Sequence, residues 1–179
     1  MTDRPPVDVL IAFGSNIDPE HNLPKAAELL AAWERIEAVS TVWESEAVGD
    51  VNQPKFCNGA IRIRTQMEWS EVRFMLRQVE SQCGRVRIPG NKNAPRTLDL
   101  DISLFGGLLV QTEEVTIPDP EITDRPFLIV PLAEIADDVF HPLLGKTLAE
   151  LAHRWQFTHT MTSRPDLTAA LLDAAGLNG

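Results

Sequence analysis

Apolar and polar positions change period several times along the chain, and each change marks an element. Val7 to Phe13 is a nearly unbroken apolar run closed by Gly14-Ser15-Asn16, which predicts a buried strand ended by a turn. Leu23 to Glu34, rich in Ala and Leu, predicts a helix. Val39, Thr41 and Trp43 recur at period two and predict a second strand. Ala47 to Pro54, with Gly49 and Pro54, predicts a loop, and Phe56 to Thr65 a third strand with Ile61 and Ile63 on one face. Val72, Met75, Leu76, Val79 and Cys83 then fall at i, i+3, i+4, i+7 and i+11, one apolar stripe of a helix, with Gly84 where a C-terminal cap belongs. Leu98, Leu100, Ile102 and Leu104 alternate with Asp99, Asp101 and Ser103, which predicts a fourth strand.

The order β-α-β-β-α-β is that of a ferredoxin-like core built from two crossover units. The expected class is α+β, with helices covering one face of an antiparallel sheet. Phe105-Gly106-Gly107-Leu108 predicts a two-residue hairpin turn into an added strand. Pro118, Pro120, Pro126 and Pro131 predict loop and short helices, Thr147-x-x-Glu150 a capping box that opens another helix, and Leu167 to Ala175 a last helix stopped by Gly176. No repeat or long linker divides the chain, so residues 1–179 are expected to form one domain, with 164–179 a C-terminal extension.

Composition narrows the class of function. With 44% hydrophobic and 23% charged residues, the 179 residues are those of an ordinary globular protein. A net charge of −10 argues against a general nucleic-acid or anionic-membrane surface. Against that background, four of the 16 bases, Arg85, Arg87, Lys92 and Arg96, fall in the acid-free window Gly84 to Leu98. Cys57 and Cys83 are too few for a disulfide scaffold, and Met-Thr-Asp-Arg-Pro-Pro lacks a signal-peptide plan, so a cytoplasmic location is expected. The early apolar run is too short to span a bilayer, and the four histidines show no metal-ligand spacing.

The chemistry concentrates in Pro95-Arg-Thr-Leu-Asp-Leu-Asp101. Residues i and i+2 of a strand share a face, so Asp99 and Asp101 project together and repel unless a positive group lies between them. The solvated face of an edge strand is the plain alternative. A basic loop feeding a two-carboxylate strand points instead to Mg²⁺ and polyphosphate.

Five blocks occur in order: Phe13-Gly-Ser-Asn16, Gln53-Pro54-Lys-Phe56-Cys-Asn58, Glu80-x-x-x-Gly84-Arg85-x-Arg87, Pro95-Arg-Thr-Leu-Asp-Leu-Asp101 and Arg125-Pro-Phe127-x-x-x-Pro131-Leu-x-Glu134-Ile135. From about Val7 to about Leu151 the chain resembles the 6-hydroxymethyl-7,8-dihydropterin pyrophosphokinase family of folate biosynthesis. The resemblance implies an α/β sandwich on the ferredoxin-like core, with the added hairpin and C-terminal helices. It implies transfer of the pyrophosphoryl group of ATP to the pterin hydroxymethyl oxygen, releasing AMP. It implies Mg²⁺, two ions with ATP, held by Asp99 and Asp101, and Arg85 and Arg96 beside these two as catalytic residues. Glu80, Arg85, Arg87, Arg96, Ile102, Thr116 and Arg125 would face ATP. Ser45, Val48, Phe56, Asn58 and Phe127 would face the pterin, with the two phenylalanines clamping its ring. Glu80 alone reads as an exposed helix residue, and Gly14-Ser15-Asn16 as a turn shaping the pterin pocket.

The chain departs from the family pattern at two places. Lys92-Asn93-Ala94 precedes Pro95 where the family usually carries Arg-Trp-Gly, and Asp119 stands where it normally carries His. A diverged relative that acts weakly or on another pterin, and a non-catalytic ferredoxin-like binding module, are the competing readings. The expected partners are ATP and a hydroxymethyl dihydropterin, with no nucleic acid and no membrane, in a monomer or a homodimer.

Overall fold

The computed structural model describes residues 3–178, so residues 1–2 and 179, the ends of the expected domain and tail, lie outside the described residues. The chain runs β1 (Val7–Ser15), α1 (Pro19–Trp33), β2 (Ile36–Val39), β3 (Trp43–Ser45), β4 (Phe56–Thr65), α2 (Trp69–Gln82) and β5 (Asp99–Phe105). It continues as β6 (Val110–Gln111), β7 (Thr116–Ile117), α3 (Pro126–Ile135), α4 (Leu148–Ala152), β8 (Met161–Ser163) and α5 (Pro165–Ala174). The main sheet has the order β5-β1-β4-β3-β8, with β2 also paired to β4, and every pairing in it is antiparallel. This is the expected ferredoxin-like core.

β1 is apolar on both faces because both faces are covered. Val9, Ile11 and Phe13 join Ile61, Ile63, Leu100 and Ile102 in a core closed by α1, α2 and α5. Leu10, Ala60 and Leu104 face the other way, onto Ile122, Ile129, Leu132 and Leu148 from the α3–α4 side. Helices therefore cover both faces, not the one face expected, because the proline-punctuated stretch builds the ten-residue α3 with Pro126 in its first turn.

Other boundaries differ for local reasons. The second strand is split into β2 and β3. The Ser40 hydroxyl accepts the Ala60 N–H at 2.8 Å, taking a bond that a continuous ladder would give to backbone. α1 starts at Pro19 rather than Leu23, with Pro24 inside it; so near the first turn, Pro24 forfeits only the bond to the Glu20 carbonyl. The turn at Gly106-Gly107 forms, with Leu108 N–H donating to Phe105 O at 2.9 Å. The strand that follows does not fold back on β5. It pairs with β7 in a separate hairpin, and Asp119 N–H covers the edge of β5 through Ser103 O at 3.0 Å.

Thr147 and Glu150 form the expected capping box of α4, Thr147 N–H donating to Glu150 at 2.7 Å and Glu150 N–H to Thr147 at 3.2 Å. β8 pairs with β3, and α5 packs on α1. Arg164 clasps that corner, 3.0 Å from both Glu20 and Glu44 and 2.8 Å from Asp166. Gly176, after α5, has a φ of 73°, a backbone that favours glycine.

Candidate active site

The ends of three adjacent strands supply the floor of a cleft. Gly14 at the end of β1 lies opposite Asn58 of β4 on one side and Asp99 of β5 on the other. Ala12 lies opposite Asp101, one step along the same face. Having no side chain, Gly14 leaves a gap between the Asn58 amide and the Asp99 carboxylate. A Cβ there would come within 2.7 Å of Asn58 Oδ1. Asn58 is held in turn by Ser45, to whose hydroxyl its Nδ2 donates at 3.2 Å.

Above this floor is a cavity of about 320 Å³ whose lining includes Ser45, Val48, Phe56, Asn58, Arg125 and Phe127, together with Asp99, Asp101, Arg96 and Asp119. Two more cavities adjoin it. One, of about 350 Å³, is lined by Arg85, Arg87, Arg96 and the loop between them. The other, of about 540 Å³, is lined by Arg77, Ile102, Thr116, Asp119 and Glu121. Asp101 and Lys92 border all three.

The charges are arranged in pairs. Arg96 Nη1 lies 3.0 Å from Asp99 Oδ2, and its guanidinium sits over the Phe56 ring at 5.7 Å from the centroid. Arg85 Nη1 lies 3.5 Å from Asp99 Oδ1 and donates to Leu98 O at 2.8 Å. Burial draws the Arg85 guanidinium below its ordinary value. Asp101 has a weaker counter-charge, Arg77 Nη2 at 3.7 Å. Burial first, and then the charge of Asp99, pushes its carboxyl well above the usual carboxylate range. Burial likewise raises Asp119, against the effect of the Glu121 N–H bonded to it at 2.9 Å.

Glu80 is not the exposed residue its helix position suggested: it is 1% exposed. Its carboxylate bonds Arg77, Arg87 at 3.0 Å and the Leu100 backbone N–H at 3.2 Å. It lines none of the three cavities and so acts as the anchor of two arginines rather than as a surface of the cleft.

The model of the family described as 7,8-dihydro-6-hydroxymethylpterin-pyrophosphokinase (HPPK) matches residues 10–137. The chain belongs to this family. It is 37% identical over 161 residues to the 2-amino-4-hydroxy-6-hydroxymethyldihydropteridine pyrophosphokinase of Synechocystis, covering 88% of this chain and 81% of that one. With the enzyme of the same name from Bacillus subtilis it shares 39% over 132 residues, 72% of this chain and 78% of the relative. Among solved structures it is similar to the Plasmodium falciparum HPPK-DHPS, wild type with SDX-DHP, at a TM-score of 0.65 and 12% identity, over 91% of this chain. That likeness shows the fold, and the chain spans about half the length of the solved chains, 48% in this case. HPPK membership makes the protein a pyrophosphokinase that moves the pyrophosphoryl group of ATP to hydroxymethyl dihydropterin in folate biosynthesis.

Within the HPPK fold, the residues picked from sequence, Glu80 apart, border one continuous cleft. Sequence reasoning passed over Arg77, although it stands one helical turn before Glu80 and so shares its face of α2. It also passed over Glu121, whose place on the cleft depends on the chain path after β7, which no periodicity records. No described helix is long and apolar enough to cross a membrane.

Proposed function

We propose that the first cavity holds the pterin, and that ATP lies across the other two with its phosphates passing Asp101. The observation that carries this reading is the meeting of all three cavities at that one carboxylate. Phe56 and Phe127 border the pterin cavity, and a flat heterocycle stacks well on aromatic faces. Asn58, braced by Ser45, offers an amide donor and acceptor to the ring edge. Ile102 and Thr116 face the nucleoside, and Arg85, Arg87 and Arg96 the β- and γ-phosphates with forked donors, while Arg125, expected to face ATP, lines the pterin cavity. Glu80 keeps Arg87 turned toward the phosphates.

Asp99 and Asp101 suit Mg²⁺. Among the described residues no three His, Cys, Asp or Glu side chains group closely enough to hold a metal. Mg²⁺ needs only one or two carboxylates when phosphates and water complete its shell. The Asp101 carboxyl, raised first by burial and then by the Asp99 charge, is one that a bound cation would return to its charged form. When bound, two Mg²⁺ ions would neutralise phosphate charge and orient the reacting oxygens. The protein's own part is to place the hydroxymethyl oxygen in line with the β-phosphorus and to close the site to water, since such transfers rely on positioning and charge.

Incubation with ATP, Mg²⁺ and 6-hydroxymethyl-7,8-dihydropterin, following AMP, tests the reading. AMP formed only when the pterin is present supports it, and ADP formation contradicts it. Asp99→Ala should lower turnover by orders of magnitude while pterin still binds; a near-normal rate would remove Asp99 from the machinery. Two free buried cysteines suit a reducing cytoplasm.

A further inference from the structure

We propose that Arg77 is the cation on the leaving-group side of the transfer, binding the α-phosphate of ATP and, after reaction, of AMP. The proposal rests on the reaction assigned above. Arg77 is held from behind. Its Nη1 donates to Glu80 and to Leu100 O at 3.4 Å, while Nη2 stands 3.7 Å from Asp101. Its other side borders the cavity that Ile102 and Thr116 line.

Glu80 is one buried carboxylate shared by two guanidinium groups, Arg77 and Arg87. Asp101, 3.7 Å from Arg77, is a second counter-charge, so a phosphate would meet Arg77 at the face it turns to the nucleoside cavity rather than at an uncompensated charge. Arg87 opens on the cavity beside Arg85 and Arg96, and Arg77 on the nucleoside cavity. A triphosphate leaving the nucleoside cavity toward Asp101 therefore meets Arg77 first, and its first phosphate is the α-phosphate.

The reaction puts charge at that place. The hydroxymethyl oxygen forms a bond to the β-phosphorus and gives up its proton to water. The bond from the β-phosphorus to the oxygen bridging to the α-phosphorus breaks. Its electron pair stays on that oxygen, which departs on AMP. Negative charge grows on the α-phosphate as the bond breaks, so a guanidinium already anchored there stabilises the transition state more than the ground state.

Arg77→Gln and Arg77→Lys in the full chain test this, with AMP and adenosine affinities measured by calorimetry beside steady-state kinetics. Loss of a charged donor to phosphate is expected to weaken AMP binding by roughly tenfold to a hundredfold in Arg77→Gln. Adenosine affinity and the pterin KM should hold, while kcat falls by a comparable factor. Arg77→Lys should recover part of the AMP affinity. AMP affinity equal to wild type, or equal losses for AMP and adenosine, would overturn the proposal. The two affinities need no turnover. A wild-type protein that made no AMP from ATP would therefore overturn the assigned reaction, and the affinities would still decide the role of Arg77.

Discussion

Asn16 and Arg96 are bonded in both directions: Asn16 N–H donates to Arg96 O at 3.1 Å, and Arg96 N–H donates to Asn16 Oδ1 at 2.8 Å. The Asn16 amide also donates to Gln53 Oε1 at 3.1 Å and to Pro54 O at 3.2 Å. A single buried side chain thus ties together three blocks far apart in sequence: the turn after β1, the Gln53-Pro54 turn before β4 and the Arg96 entry to β5. Gln53 extends the tie, donating to Asn93 O at 2.6 Å. The nucleotide and pterin sides of the cleft are therefore mechanically joined through Asn16.

Asn16→Ala should consequently do more than a turn substitution usually does. It leaves the Arg96 N–H and the Pro54 carbonyl short of a partner in a partly buried setting, a loss of about 1 kcal/mol. Urea unfolding should show that loss, and steady-state kinetics should show KM rising for ATP and pterin together. A rise in one KM alone would mean that the two sides are not coupled through this residue.

Gly14 tests the floor of the pterin cavity. A methyl group at Gly14 would stand 2.7 Å from Asn58 Oδ1 and must push the amide aside. Gly14→Ala should weaken pterin binding, read by fluorescence titration, while the ATP KM stays near wild type. Unchanged pterin affinity would show that the amide does not read the ring.

Why some of this was legible in sequence and some was not has a physical basis. The strand ends that carry Asn16, Asn58 and Asp99 are marked by period-two alternation and by turn residues, so their convergence follows from the order of the elements. Burial of Glu80 leaves no such mark. It sits beside the apolar stripe of α2, and only the approach of β5, with Leu100 N–H bonding it, turns that position inward. The split between β2 and β3 is equally silent, since one serine hydroxyl inserted in the ladder decides it. The second layer on the sheet depends on α3, whose prolines resemble loop punctuation until Pro126 is seen to start the helix.

Asp119 borders the cavities assigned to pterin and nucleotide, with a carboxyl raised by burial. An acid facing a triphosphate opposes its charge. Asp119→His should lower the ATP KM several-fold with little change for pterin. An unchanged ATP KM would show that Asp119 does not meet the phosphates.

Arg164 gives a pH-dependent stability far from the chemistry. Its hydrogen bonds hold the Asp166 carboxyl down at about 2, and Glu20 is lowered by a backbone hydrogen bond and by Arg164. A carboxyl whose folded value lies below its unfolded one adds stability that is fully present above the unfolded value, about 4 for an ordinary carboxyl. Between about pH 4 and pH 2 the unfolded chain binds the extra protons, so this stabilisation is lost as pH falls. Arg164→Leu removes it at neutral pH and leaves less to lose in acid. Melting temperatures measured from pH 7 downward should therefore start lower for Arg164→Leu and approach wild type as the pH falls below 4. Curves that stay parallel throughout would show that the Arg164 clasp, and with it the docking of α5 and β8, does not depend on these carboxylates.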